Sequence, residues 1–408
     1  MKSVVMIGGG IQQIEAVNTA KKLGFFTIVT DKNKNAPCFN NADLGLVSDG
    51  TDVVGISKFI IENKKRYNIQ GVFTCINLAS SVSKIAKRCQ LPGADPIAAA
   101  RGDNKIDQKK LFSKNNIPTP KFKEVKSLHQ ARQAYVQLGP KVVFKPSDSF
   151  GGQGVLKVEN WEEIKDAFSN ARDNSRKRTV IVEEFISGHF IDLEGIFYKG
   201  KFLPLAILDS YFLDKLPGNF RTSPIEYKNV YPSIISTSLK RDLFRLTSKA
   251  ALLLGINFGP VGSDIVITKN GPMIIEISAR LHGSSSNLYL IPKASGLNPV
   301  ELLIKIVTGQ SLKKSEIVEK FNKVGIYKYI FAKPGHIREI SGIKKASNLN
   351  GIVKVFFFKK KGDEIYYRNS TDVPCTIMAV SRNLEEAEKI VSTAESMIKF
   401  KVEAKKIG

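Results

Sequence analysis

The sequence predicts an α/β fold for its first hundred residues and an α+β organisation beyond them. Three observations carry that expectation. From Ser3 to Arg88, short apolar runs alternate with amphipathic stretches of helical period, the rhythm of a parallel sheet covered on both faces. From Lys121 to Ser278, strand patterns follow one another across turns containing Gly, Asn and Pro. From Val324 onward, short strands precede one closing helix.

The elements follow in order. Ser3–Ile7 is a buried strand running into Gly8-Gly9-Gly10, and an amphipathic helix extends from about Ile11 to Leu23. A second strand, Phe26–Thr30, ends at Asp31. Strand, glycine turn, helix, strand and acid outline a dinucleotide-binding unit, with Gln13 where the third glycine of G-x-G-x-x-G would fall. Strands at Leu44–Val47 and Gly71–Cys75, with helices at Val53–Asn63 and Leu78–Arg88, complete a doubly wound sheet ending near Leu91-Pro92-Gly93. A polar helix at Asn104–Asn115 is stopped by Ile117-Pro118-Thr119-Pro120.

A strand (Lys121–Val125), a helix (Ser127–Leu138) and a strand (Val142–Lys145) lead into a glycine loop, Pro146 to Gly154. A further strand starts at Val155, so the loop is expected at a hairpin tip. Asn170–Arg178 reads as a solvated turn, and Val180–Ile186 as an apolar strand carrying Glu183 and Glu184. Phe190–Tyr198 and Lys201–Leu213 form a meander; the loop Leu216–Ser223 precedes a helix near Leu239–Leu254, and Leu297–Thr308 is another helix. Strands at Gly325–Ala332, Val353–Phe358 and Cys375–Val380 and a helix at Asn383–Ile398 finish the chain.

Composition narrows the function classes. With 42% hydrophobic and 25% charged residues, the 408-residue chain has the balance of a globular protein large enough for two or three domains. It holds no apolar run long enough to span a bilayer, and a strand beginning beside Met1 leaves no room for a signal peptide. Cys38, Cys75, Cys89 and Cys375 lack paired spacing and read as reduced thiols in the cytoplasm; four scattered histidines argue against zinc. The net charge of +24 raises nucleic-acid binding, but the lysines are spread along the chain and runs such as Lys359-Lys360-Lys361 are short. A solvated lysine-rich surface that steers anionic substrates is preferred, with neither membrane nor nucleic acid as a partner.

Two stretches carry chemistry. In the first, three glycines (Gly151, Gly152, Gly154), the hydroxyls of Ser147 and Ser149, and Lys145 at a strand end coincide. Such a loop can fold over a polyphosphate, with Lys145 as a point charge, although a flexible turn would look similar. The second is a hairpin, Asp264–Thr268, Lys269-Asn270-Gly271 and Pro272–Arg280. A three-residue loop would pair Thr268 with Pro272, Val266 with Ile274 and Asp264 with Glu276. Alternation then sets Glu276, Ser278 and Arg280 on one face, and Ile275 and Ile277 on the other. Facing carboxylates repel unless a cation lies between them, and magnesium takes one or two carboxylates together with phosphate oxygens. A magnesium–nucleotide site and a solvated polar hairpin both fit this stretch alone.

Taken in order, the motifs resemble the ATP-grasp superfamily of carboxylate–amine and carboxylate–thiol ligases over nearly the whole chain. The start at Gly8–Gly10, with Asp31, Ala36-Pro37 and Ala42-Asp43, is similar to the family's N-terminal domain. Gly102-Asp103-Asn104-Lys105 resembles its first nucleotide-contacting lysine. Phe144-Lys145-Pro146 with Gly151–Gly154 resembles its second lysine and glycine loop. Val182-Glu183-Glu184-Phe185-Ile186 with Gly188 is similar to the linker strand that binds adenine. Asp264, Glu276 and Ser278 fall on metal positions, and Arg280 on a phosphate position. The family commonly has Asn where Ser278 stands; formate-using glycinamide ribonucleotide transformylases also carry Ser there, followed by Arg and His as in Ser278-Ala279-Arg280-Leu281-His282. A ribose-gripping acid would fall at Phe190, leaving Asp192 to replace it. His282, Ser284 and Ser285 sit where the family's loop faces the acyl phosphate.

The resemblance implies a Rossmann-like domain at residues 1–103, a two-part ATP-grasp domain at 104–323 dividing near 186, and a small C-terminal α+β domain at 324–408. It implies that a carboxylate attacks the γ-phosphate of ATP, giving an acyl phosphate that an amine then captures. Arg280, Glu276 and His282 would be the catalytic groups, with two magnesium ions, manganese as a substitute, and small-molecule carboxylate and amine substrates. A homodimer is compatible with it. Arg221 and the Leu216–Ser223 loop read either as substrate contacts or as exposed surface. The competing expectations are a formate- or bicarbonate-activating enzyme of the same superfamily, an NAD-dependent oxidoreductase using Gly8–Gly10 and Asp31, and a nucleic-acid-binding protein.

Overall fold

The computed structural model describes residues 1–213, 225–283, 285–367 and 372–403. The loop Leu216–Ser223 with Arg221, and Ser284, lie outside the described residues. Strands β1 (Ser3–Ile7), β2 (Phe26–Asp31), β3 (Leu44–Val47) and β4 (Ile69–Thr74) form a parallel sheet in the order β3-β2-β1-β4. Every residue of β1 is buried, as a central strand covered on both faces requires. Helices α1 (Ile14–Lys22) and α2 (Val53–Tyr67) connect β1 to β2 and β3 to β4, and α3 (Ala79–Arg88) follows β4. Helix α2 runs one turn beyond the expected Asn63, because Lys64, Lys65 and Arg66 complement its C-terminal dipole and left-handed Asn68 closes it. The unexpected α4 (Pro96–Gly102) is capped by Asp95 and opened by Pro96.

The second unit contains α5 (Lys105–Lys114), β5 (Phe122–Val125), α6 (Leu128–Leu138), β6 (Val142–Pro146), β7 (Leu156–Val158), α7 (Ile164–Asp173) and β8 (Val180–Glu184). Its antiparallel sheet has the order β5-β8-β6-β7 and buries Phe144, Val180 and Val182 against Ala131, Ala134, Ala167 and Phe168 of α6 and α7. The glycine loop joins β6 to its partner β7 at a hairpin tip. Asn170–Arg178 is not the solvated turn expected. Its first residues end α7, and Ser175 is buried, its hydroxyl donating to Asp148 at 2.8 Å beside the Arg176 and Lys177 amides. The segment clamps the base of the glycine loop.

The third unit is built on β9 (His189–Tyr198), β10 (Lys201–Leu213), β11 (Ile225–Tyr231), α8 (Thr237–Leu254), β12 (Gly259–Thr268) and β13 (Gly271–Ser278). Helices α9 (Leu290–Ser295) and α10 (Pro299–Val307) precede β14 (Val324–Ile330), β15 (Gly335–Ser341), α11 (Ile343–Ser347), β16 (Ile352–Phe357), β17 (Glu364–Ile365), β18 (Cys375–Ser381), α12 (Leu384–Met397) and β19 (Lys399–Glu403). Among the described residues, one eight-stranded sheet runs β13-β12-β9-β10-β11-β14-β18-β16. The strands after residue 324 therefore extend the sheet that carries the hairpin, and only β15, β17 and β19 form a separate small sheet.

The hairpin corrects its expected turn. Thr268 pairs with Gly271 and Val266 with Met273, so the loop has two residues, not three. A bulge at Ile275 then absorbs one residue and sets Asp264 opposite Glu276. It also sends Ile274 and Ile277 into the α8-facing core, in place of the Ile275–Ile277 pair that strict alternation expects.

Candidate active site

Register across three strands creates the site. Asp192 of β9 stands opposite Asp264 of β12, and Asp264 opposite Glu276 of β13. Side chains so paired have Cβ atoms roughly 5 Å apart, so three carboxylates form one row. Each end of the hairpin pair is met by a protein cation. Lys105 Nζ, from the first turn of α5, lies 3.0 Å from Glu276 Oε2 and donates to the Ser149 carbonyl at 2.7 Å. His282 Nε2 lies 2.6 Å from Asp264 Oδ1, while Nδ1 lies 2.9 Å from Glu194.

Glu194, two residues beyond Asp192 on β9 and almost wholly buried, also accepts from the His282 amide at 3.1 Å and from Asn287 at 2.5 Å. Burial opposes a charged imidazole, but the Glu194 and Asp264 carboxylates outweigh it and hold the His282 pKa well above the ordinary value. Gly262 makes the arrangement sterically possible, since a Cβ there would stand 3.0 Å from the imidazole ring. Arg280 Nη1 donates to the Leu281 carbonyl at 2.9 Å. Ser278 is buried opposite Gly262, two residues along the strand from Glu276.

A second cluster lies under the glycine loop. Lys145 Nζ is 2.8 Å from Glu183 Oε2, and Lys109 Nζ is 3.5 Å from Oε1, with all three side chains largely or wholly buried. Burial lowers the Lys109 pKa to about 8. Burial would raise Glu183, but Lys109 and Lys145 hold it below the usual carboxylate range. Gly151, Gly152 and Gly154 all take positive φ, the left-handed region open to glycine, and Ser149 Oγ donates to the Gln153 carbonyl at 2.9 Å. In the linker, Glu184 accepts from the Lys121 amide at 2.7 Å, the Phe185 amide donates to Lys141, and Lys157 lies 4.4 Å from the Phe185 ring centre. Ile186 follows, partly buried.

The structure thus brings Lys105, Asp264, Glu276 and His282 into one constellation and joins Lys145 with Glu183 in another. Strand register places Asp192, the residue expected at a ribose, beside Asp264; one ligand atom from each of Asp192, Asp264 and His282 lies within 4.8 Å of the others. Asp31 braces the first glycine turn, accepting from the Gly9 and Asn33 amides at 2.8 Å, so that carboxylate is committed to the backbone. Lys109 and Glu194 were missed in the sequence. The signals were present: Lys109 is four residues from Lys105 on one helix face, and Glu194 is two from Asp192 on one strand face.

The carboxylates suit a hard divalent ion. Asp264 and Glu276 offer oxygen donors on facing strands, the donor type such an ion takes.

A family model described as an ATP-grasp domain matches residues 102–284, and one described as L-amino acid ligase C-terminal domain 2 matches residues 328–403. The chain is 27% identical over 252 residues to alanine–anticapsin ligase of Bacillus subtilis, covering 55% of this chain and 52% of that one. It is 23% identical to formate-dependent phosphoribosylglycinamide formyltransferase of Sulfurisphaera tokodaii over 97% of this chain and 96% of that one. The chain spans about half the length of the first relative, and 29% of the carbamoyl phosphate synthase large chain of Clostridium beijerinckii. The crystal structure of L-amino acid ligase from Bacillus licheniformis has the same fold, with TM-score 0.81 at 20% identity over 99% of both chains.

Proposed function

We propose that this chain, a member of the ATP-grasp superfamily, is an ATP-dependent ligase that activates a small-molecule carboxylate as an acyl phosphate and couples it to an amine, releasing ADP and phosphate. The observation that carries the reading is the in-register row Asp192–Asp264–Glu276 with Lys105 at its end, beside a glycine loop that also contacts Lys105.

Lys105 and Lys145 hold the phosphates of ATP, and Glu183 keeps Lys145 oriented between turnovers. The linker from Glu183 to Ile186 borders the base. Arg280 meets the charge that spreads over the transferring phosphoryl group. Asp264 and Glu276 would hold magnesium, with Ser278 beside them; when bound, magnesium neutralises the phosphate charge and orients the γ-phosphate. His282, fixed by Glu194, presents a protonated ring beside the forming acyl phosphate. The glycine loop covers the site and excludes water that would hydrolyse that intermediate. No side chain need form a covalent bond to substrate. A cytoplasmic setting belongs to the proposal, supported by four buried free thiols.

Activation of formate or bicarbonate is the second reading. It is favoured by the Ser278–His282 run and by the nearly full-length match to the formate-dependent enzyme. The test is a screen in which ADP release is followed with amino acids, other organic acids, formate and bicarbonate, with hydroxylamine present. A hydroxamate that accumulates with ADP only when one carboxylate is present supports the ligase. ADP released with formate or bicarbonate alone supports the second reading.

A further inference from the structure

We propose that Gln108 is a positioning residue for the phosphoryl-transfer site: its carboxamide serves as the missing strand partner at the free edge of β13 and so fixes the direction in which Glu276 and Ser278 face. The inference rests on the reading of Glu276 as a metal acid and adds the residue that aims it. Among the described residues, β13 ends the eight-stranded sheet and pairs with β12 alone. Its outward N–H and C=O groups therefore need partners from elsewhere.

Two segments fill that edge. At Ile274, the amide donates to the Pro118 carbonyl at 2.8 Å and the carbonyl accepts from Thr119 Oγ1 at 2.8 Å. At Ile277, the amide donates to Gln108 Oε1 at 2.8 Å and the carbonyl accepts from Gln108 Nε2 at 2.9 Å. One carboxamide thus exchanges both bonds with one residue, as a hydrogen-bonded pair in an antiparallel ladder does. Nε2 also donates to the Gly102 carbonyl at 2.7 Å, so both N–H groups and the oxygen of this buried side chain are used.

The place of that pair decides its consequence. Ile277 stands between Glu276 and Ser278, directly beyond the bulge at Ile275. A bulge is where a strand can shift by one residue, and such a slip turns every following side chain to the other face. Ile274 and Ile277 are three residues apart, yet both present their backbone groups to the edge, because the bulge absorbs one residue. Holding both ends of this irregular stretch leaves Glu276 one register, opposite Asp264. One helix face delivers the contacts: Lys105 meets the Glu276 carboxylate, and Gln108, three residues on, meets the next backbone unit. Gly102 completes the seat, since a Cβ there would stand 3.3 Å from the Ala279 amide nitrogen. For filling space alone, a leucine would serve without burying a carboxamide.

The test uses the full chain and two readouts that need no turnover: hydrogen exchange at the Ile277 amide, and calorimetric binding of manganese to the ADP-loaded protein. Gln108→Met keeps the length of the side chain and removes its polar atoms. Exchange at Ile277 is expected to quicken by roughly tenfold. Manganese affinity is expected to fall by roughly tenfold to a hundredfold, while ADP affinity without metal is unchanged. Thr268→Val is the control. It removes two hydrogen bonds at the turn end of the same hairpin, where Thr268 Oγ1 donates to the Gly271 carbonyl and accepts from the Asn270 amide. It is expected to lower stability and leave manganese affinity as in the wild type. Should Gln108→Met fail to fold, Gln108→Asn, one methylene too short for both bonds to Ile277, is expected to move the two readouts in the same direction. Wild-type manganese affinity in the Gln108 variant that folds, or an equal loss in Thr268→Val, would overturn the inference and leave the metal reading of Glu276 intact. No manganese binding by the wild type, with or without ADP, would overturn both.

Discussion

Lys105 Nζ stands 3.0 Å from Glu276 Oε2, joining the first turn of α5 to the end of β13 remote from the hairpin turn. A group suited to phosphate is thus paired with a group suited to metal. Lys105→Met should therefore change two affinities in opposite directions. ATP binding should weaken by roughly tenfold to a hundredfold as a charge-assisted contact is lost. Manganese binding without nucleotide should strengthen, because Glu276 is freed. Titration calorimetry reads both, and a fall in both affinities contradicts the pairing argument.

Lys109 gives the protein a specific pH signature. Its pKa is lowered to about 8 by burial, against 10.5 for an ordinary lysine. Between those values the unfolded chain holds a proton that the folded chain has released, so this group adds stability as pH rises. Relative to Lys109→Met, which cannot titrate, the wild type should gain roughly 1–3 kcal/mol between pH 8 and pH 10.5 in urea denaturation. A constant or shrinking difference would contradict the burial argument.

Gly154 should tolerate no side chain. Its φ is +73°, and a Cβ would stand 2.6 Å from Asn174 and 2.7 Å from Pro146. Gly154→Ala is expected to cost about 1–3 kcal/mol and to raise the KM for ATP by displacing the loop. Gly24→Ala is the control, with φ at +81° but open space around the added carbon. It should show only the backbone cost, with KM unchanged.

Glu194 acts through His282 as a positioning residue. Glu194→Gln keeps the size of the side chain but removes the charge that holds the ring protonated. A fall in kcat of roughly tenfold to a hundredfold is expected, with KM for ATP unchanged. Rescue by Glu194→Asp but not by Glu194→Gln would separate charge from packing. Equal rates in both variants would assign His282 a structural role.

Local patterns made much of the fold legible. Continuous apolar runs in β1 and β2 could only be central parallel strands, and three glycines between strands could only be a hairpin tip. What failed was whatever depends on register across distant strands. A two-residue loop replaces the three-residue turn that the sequence predicts, yet Asp264 faces Glu276 because the bulge at Ile275 compensates. Asp192 faces Asp264 across β9 and β12, a neighbour that no local pattern in the sequence reveals.

Phosphoryl transfer at the Asp264–Glu276 pair is tested most directly by following ADP and hydroxamate together, in the wild type and in Glu276→Gln, across a panel of carboxylates with hydroxylamine. The wild type should produce equal amounts of ADP and hydroxamate with at least one carboxylate, and Glu276→Gln should lose at least a hundredfold of both, on the order expected when a fixed charge at a phosphoryl centre is removed. Hydroxamate formed at the wild-type rate by Glu276→Gln, or formed with AMP in place of ADP, would contradict the account.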